Sequence, residues 1–187
     1  FRRVLFRSIL TDGYEELEAV GTIALLRRAG IDMDISAVSA KEACGRFHIT
    51  MSNLLDLDTI DPNAYDVLFF PGGPHYQKLE ANDNVMAILK AFMDADKVVA
   101  AICAAPTILG RQGYLKGKNY TCFTSMNEDF NGTYVDQYTV TDGNLITGRS
   151  AAAVIDFAFA IIEKLAGKEK AERSEERRVG KECRSRW

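Results

Sequence analysis

Two short runs are apolar at every position: VLFF at 67–70 and VVAAI at 98–102. A strand with one face in water alternates apolar and polar side chains. A run without alternation is buried on both faces, which points to a parallel sheet covered by helices above and below. The rest of the chain supplies those helices. Residues 15–28 place Leu17, Val20, Ile23, Ala24 and Leu25 near helical spacing, and Gly30 follows as a stop. Further helices are expected over 82–93, from 104 to 109, and over 152–165. Strands are expected to end at Ile9-Leu10 and to occupy 31–38, 66–70, 97–102 and 120–123. Hairpins are expected over 42–52 and over 138–147 around Asp142-Gly143. Strand and helix alternate, which predicts an α/β domain with a mainly parallel central sheet and helices on both faces. In such sheets ligands bind beyond the carboxyl ends of the strands. Three segments fall there: DGYEELE (12–18), PGGPH (71–75) and Cys103.

The two ends read differently from the middle. Leu5-Phe6-Arg7-Ser8 can be encoded CTC TTC CGA TCT, whose reverse complement encodes Arg-Ser-Glu-Glu, the residues at 173–176. Termini antisense to each other are read as translated sequencing-library adapter. Residues 1–8 and 173–187 are therefore set aside, leaving one domain over 9–172. Removing nine of the 23 basic and three of the 26 acidic residues leaves 14 against 23, a formal charge of −9. That surface argues against nucleic acid or an anionic membrane as partner. No apolar run reaches the roughly 18 residues of a membrane span, and no secretory signal pattern is present. Setting Cys183 aside leaves Cys44, Cys103 and Cys122, with neither CxxC nor metal-ligand spacing. No metal is expected, and a reducing cytoplasmic setting is.

A lone cysteine in an apolar run is commonly a packing residue. Cys103 has three features that favour a nucleophile. It falls where a strand gives way to a helix, and a strained elbow there needs small neighbours, which Ala100, Ala101, Ala104 and Ala105 provide. Helix amides beyond it favour a thiolate, with Pro106 accommodated in the first turn. The PGG turn is able to bring a Gly73 amide to join that of Ala104 as an oxyanion hole. Ala104 stands where many cysteine hydrolases carry histidine. Only His48 and His75 remain, and His75 follows the PGG turn closely enough to reach the site. Glu18 is the better proton carrier: a carboxyl buried on the apolar face of its helix should stay protonated and hydrogen-bond a thiolate. Glu15 and Glu16, in the first turn, are read as charges complementing the helix dipole.

Several stretches resemble the ThiJ/PfpI superfamily, in the Parkinson-disease-protein-like branch. They are DGYEELEAV (12–20), RRAGI (27–31), FFPGGP (69–74), AAICAAPTILG (100–110), LKGK (115–118), DGNLITGRS (142–150) and DFAFAIIE (156–163). The resemblance implies a flavodoxin-like three-layer sandwich and a homodimer. It makes Cys103 the nucleophile, Glu18 its protonated partner, and the Gly73 and Ala104 amides the oxyanion hole. Gly72, His75 and Arg149 become candidates for the substrate pocket. The chain departs from the family pattern in ITGRSAAAV (146–154), where relatives carry Gly-Pro-Gly after the arginine, and at Phe123-Thr124. The C-terminal helix beyond AGKEKAE (166–172) is expected to be replaced, and Arg7 and Ser8 fall where a central strand should be apolar.

The implied activity is a cofactor-independent, cysteine-dependent reaction on reactive dicarbonyls or their early adducts, of the glyoxalase or deglycase type. The partner is then a small carbonyl substrate. One alternative is an oxidant sensor or chaperone that uses the same cysteine without turnover. A weaker one is an amidase or peptidase, disfavoured because no histidine follows the cysteine.

Overall fold

The computed structural model describes residues 5–39 and 41–179. Of the terminal stretches set aside above, residues 1–4 and 180–187, Cys183 among them, lie outside it. In chain order the elements are β1 (Leu5–Leu10), a π-helical turn (Leu17–Gly21) leading into α1 (Thr22–Arg28), β2 (Asp32–Ala37), β3 (Glu42–Cys44), β4 (Thr50–Ser52), β5 (Leu55–Asp56) and β6 (Val67–Phe70). There follow α2 (Tyr76–Glu80), α3 (Asp83–Asp94), β7 (Val98–Ile102), α4 (Pro106–Arg111), β8 (Asn119–Tyr120), β9 (Thr133–Tyr134), β10 (Thr139–Asp142), β11 (Leu145–Gly148), α5 (Val154–Ala166) and α6 (Lys168–Val179).

Seven strands form one sheet in the order β10-β11-β7-β6-β1-β2-β5. Every pairing is parallel except β10 with β11. The two wholly apolar runs are adjacent central strands, with Val67 opposite Val98 and Phe70 opposite Ala101. Their lack of alternation has the expected cause. Val67, Phe69, Ala100 and Ile102 join the core under α1 and α5, with Ile23, Leu26, Phe157 and Ile161. Leu68, Phe70, Val99 and Ala101 join the opposite core under α3 and α4, with Val85, Leu89, Phe92 and Ile108. The helices therefore cover both faces, as the sequence predicts. α3 begins where the Asn82 side chain accepts from Val85 N–H at 3.0 Å, a helix-capping bond.

Four details differ from the sequence reading. The strand expected over 120–123 is only Asn119–Tyr120, paired with β9 outside the main sheet. Its continuation runs past the sheet end instead: Thr121 N–H donates to Thr147 Oγ1 at 2.9 Å. The helix expected from 104 starts at Pro106. α6 continues the chain as a polar helix packed on α5, with Ala171 buried. Lastly, Arg7 and Ser8 are both buried within β1. Arg7 is not left unpaired: its guanidinium donates to Ser36 Oγ and Tyr65 Oη and lies 4.2 Å from the Tyr65 ring centre. Among the described residues, no helix is long and apolar enough to cross a membrane.

Candidate active site

β7 ends at Ile102, and the next residue breaks the strand. Cys103 has φ +63°, in the left-handed region, which is strained for a residue with a Cβ. Backbone bonds on both sides hold it there. Its N–H donates to Gly148 C=O at the end of β11, and its C=O accepts from Phe123 N–H, each at 2.8 Å. The segment at 121–123 thus buttresses the elbow rather than extending the sheet. The small side chains of Ala104 and Ala105 are buried beside it, and Pro106 opens α4.

Glu18 arrives from the π-helical turn. The Glu15 carboxylate accepts from Glu18 N–H at 2.7 Å and fixes the start of that turn. Glu18 itself is 1% exposed. Its Oε2 accepts from Gly72 N–H at 3.0 Å, while Oε1 has no hydrogen-bond partner among the described residues. The closeness of Glu18 to the sulfur is visible at Gly72. A Cβ there would lie 2.3 Å from Glu18 Oε2 and 2.6 Å from Cys103 Cβ. Only glycine lets the carboxyl and the cysteine meet over this turn.

The two groups control each other's protons. Burial, the largest influence, raises the Glu18 carboxyl to about 7; the neighbouring Cys103 thiol and the Gly72 N–H oppose the rise and the Glu15 charge adds to it. Burial, and then the adjacent Glu18 carboxylate, push the Cys103 thiol up, while the Ala104 N–H draws it down. The upward push from Glu18 exists only while Glu18 is ionised. Once Glu18 holds the proton its charge is gone, and its O–H becomes a donor to sulfur alongside Ala104 N–H. The pair therefore titrates as a unit. The sequence argument credited helix amides with ionising the thiol. In the structure α4 has six residues and begins three positions later, and after burial the largest influence on the thiol is Glu18.

Gly73 and Ala104 join Cys103 in lining a cleft of about 290 Å³, with Arg46, Pro74, Tyr76, Gln77, Phe123 and Met126. Gly73 has φ +99°, and a Cβ on it would meet Glu15 N at 2.5 Å. Among the described residues, the Gly73 N–H has no backbone acceptor. Gly73 and Ala104 thus line the same cleft as Cys103.

The other candidates fall elsewhere. Gly72 does not line the cleft; its N–H serves Glu18. His75 is completely buried and does not line the cleft. One ring nitrogen, Nδ1, accepts from Thr11 N–H at 3.4 Å, and the other, Nε2, is 2.9 Å from Pro71 C=O. Burial lowers its value to about 4, so it is a neutral tie between the PGG turn and the end of β1, not a pocket residue. Arg149 is also absent from the cleft. Its guanidinium pairs with Asp136 at 2.7 Å and its N–H donates to Tyr138 C=O. His48 is exposed on the β3–β4 connection at φ +69°. Neither histidine reaches the sulfur's cleft.

Glu16 differs most from expectation. It is a buried anchor rather than a charge set against the helix dipole: its Oε1 accepts from Phe47 N–H at 2.6 Å and Ile49 N–H at 3.4 Å. This carries the tip of the β3–β4 hairpin onto the site and brings Arg46 to the cleft. The sequence reading missed Arg46, Tyr76, Gln77 and Met126. The only sequence signal was the hairpin itself, which does not say where its tip lands. Cys44, Cys103 and Cys122 are free thiols. Among the described residues, no group of three His, Cys, Asp or Glu side chains is arranged to hold a metal.

The profile of the DJ-1/PfpI family matches residues 2–164. Protein dj-1beta of Drosophila melanogaster is 36% identical over 170 residues, 88% of this chain and 90% of its own. The crystal structure of Drosophila melanogaster DJ-1beta superposes with a TM-score of 0.89 at 31% identity, covering 94% of this chain and 97% of that one. A Thermococcus kodakarensis protein named deglycase TK1284 is 29% identical over 141 residues, 74% of this chain and 85% of its own. Profile, sequence and fold agree: the chain belongs to the DJ-1/PfpI family.

Proposed function

We propose that the protein is a cofactor-independent enzyme that uses Cys103 to attack reactive dicarbonyls or their early adducts. The observation that carries this reading is the closeness of Cys103 to the buried carboxyl of Glu18 across a turn that only glycine fits, beside a cleft that Gly73 and Ala104 also line. A deglycase-named relative at 29% identity supports the reaction class.

With methylglyoxal, the Cys103 thiolate adds to the aldehyde carbon and forms a C–S bond, giving a hemithioacetal. The Gly73 and Ala104 N–H groups hold the new oxyanion. Glu18 moves a proton from the former aldehyde carbon to the neighbouring carbonyl carbon, which leaves a thioester. Water cleaves the thioester, releases lactate and returns the thiol. The net change is addition of one water to methylglyoxal, with no external oxidant or reductant. The cleft is small and mostly apolar at its walls, which suits a short carbonyl compound.

The test is lactate formation from methylglyoxal by the purified chain. Turnover is expected in the unmodified protein. It should fall by at least about 10²-fold in Cys103→Ala and in Glu18→Gln. Absence of turnover on methylglyoxal and on a glycated thiol, combined with peroxide-driven addition of two oxygens at Cys103, overturns the enzyme in favour of an oxidant sensor.

A further inference from the structure

A second hollow, of about 460 Å³, adjoins the Cys103 cleft. Asp12, Gly13, Cys44, Gly45 and Lys78 line it together with Arg46, Pro74 and Gln77. The last three also line the Cys103 cleft. Arg46 therefore stands on the boundary between the two. Its side chain is exposed and forms no ion pair among the described residues; the guanidinium carbon lies 5.4 Å from the centre of the Phe47 ring.

The backbone beneath Arg46 is held firmly. Arg46 N–H donates to Tyr14 C=O at 2.8 Å, and Gly45 N–H to Ile49 C=O at 2.9 Å. Phe47 N–H donates to Glu16 at 2.6 Å, and the Tyr14 hydroxyl donates to Ile49 C=O at 2.7 Å. Gly45 packs so closely on Glu16 that a Cβ would lie 2.3 Å from its Oε1. Lys78 contributes a second cation to the rim, its ammonium donating to Asp12 C=O at 3.0 Å rather than to a carboxylate. The acidic groups nearby are already engaged. Asp12 accepts from Cys44 N–H at 2.8 Å, Glu15 from Glu18 N–H, and Glu16 from the hairpin tip.

We propose that Arg46 forms a carboxylate subsite at the mouth of the Cys103 cleft, selecting carbonyl adducts that bear a free carboxylate, with Glu16 as its positioning residue. The inference rests on the carbonyl-adduct reading above and narrows its substrate class. A guanidinium presents a planar fork that matches a carboxylate in two parallel hydrogen bonds. A free dicarbonyl has no group for this fork. The adduct of a dicarbonyl with an amino acid or a small thiol acid does: its reactive carbon would enter the cleft while its carboxylate stayed at the rim. Lys78 adds charge to the same rim without matching the geometry.

Two stable probes isolate the effect: N-acetyl-S-(2-oxopropyl)cysteine, which carries a carboxylate, and its primary amide, which does not. Calorimetric titration of the unmodified chain is expected to give about tenfold tighter binding of the acid. The preference should vanish in Arg46→Gln, so that acid and amide bind with equal affinity, and should fall with rising salt in the unmodified chain. Glu16→Ala should lower the acid-to-amide ratio, and Glu16→Gln should retain most of it, because the amide oxygen still accepts from Phe47 N–H. Circular dichroism checks that each variant is folded. Equal binding of the two probes, no binding of either, or a preference that survives Arg46→Gln overturns the subsite; if it survives there but is lost in Lys78→Gln, the lysine is the anion's partner instead. These readouts measure binding, so a chain that prefers the acid but never makes lactate keeps the subsite and loses the enzymatic reading.

Discussion

Glu18 gains its character from a contest in which burial outweighs hydrogen bonding. A carboxylate with both oxygens well bonded would titrate low. Here one oxygen accepts from Gly72 and the other has no partner, so the buried charge is poorly supported. The folded-state value is about 7 against an ordinary 4.5. Between those two values the folded chain holds a proton that the unfolded chain has released. Stability from this residue is therefore greatest below pH 4.5, declines as pH rises toward 7, and is flat above it. A difference of that size is worth about 3 kcal/mol. Glu18→Gln preserves the shape and the acceptor for Gly72 without a charge. Its urea-unfolding free energy should change less between pH 5 and pH 8 than that of the parent, and the variant should be the more stable protein at pH 8. Equal pH slopes for the two would mean that Glu18 is ionised at low cost, and the proton-sharing pair would lose its basis. Removing the charge at Glu18 should also make Cys103 easier to ionise, measurable as faster alkylation at pH 7 in Glu18→Gln than in the parent.

Elements defined by their neighbours in sequence were legible, and those defined by distant contacts were not. VLFF and VVAAI show in their composition that both faces are covered, and α5 and the β10–β11 hairpin carry their own periodicity and turn. By contrast β8 pairs with β9 across more than ten residues of loop, and α2 is a single short helix after PGGPH. Glu16 has the same local context whether it faces water or a folded-back hairpin; only the tertiary contact with Phe47 distinguishes them. His75 was misplaced for a related reason: its position after the PGG turn put it near the site, but burial turned it inward to Pro71 and Thr11. β1 tests the cost of a charge in a central strand. Arg7 is buried with Nε unpartnered, between β2 and the Tyr65 ring, and burial opposes its charge. Tyr65 Oη also donates to Asp34 at 2.7 Å. Arg7→Met should leave that bond intact but strand the buried Ser36 hydroxyl, so the net change in urea unfolding should be small, within about 1 kcal/mol. Tyr65→Phe removes the hydroxyl from the buried guanidinium and should destabilise it by about 3 kcal/mol. A larger loss of stability in Arg7→Met would show that the guanidinium's contacts with Ser36 and Tyr65 outweigh its desolvation.

The molecule places its chemistry and an apolar surface on the same two elements. Glu18 is flanked by exposed Leu17 and lies two residues from exposed Val20; Arg46 is followed by Phe47, and Ile49 is close by. Phe47 is 63% exposed, Ile49 56% and Leu17 55%. The bonds from Phe47 and Ile49 to Glu16 bring the hairpin tip beside the π-helical turn, so these side chains share a region of the surface. Exposed apolar clusters of this kind commonly mark contact surfaces, and the homodimer that the family resemblance implies would cover this one with a second copy of the chain. Light scattering at micromolar concentration should then give twice the mass of one chain. Leu17→Glu combined with Phe47→Glu should give one chain mass, because each charge would have to be buried unpaired at the interface. The parent's melting temperature should rise with protein concentration, as association requires, and the double variant's should not. A parent that scatters as one chain and melts at a concentration-independent temperature would leave this surface open to solvent. In a dimer both copies would bury the flanks of Glu18 and Arg46, and the double variant should lose catalytic efficiency along with its partner even though neither substituted side chain lines the cleft.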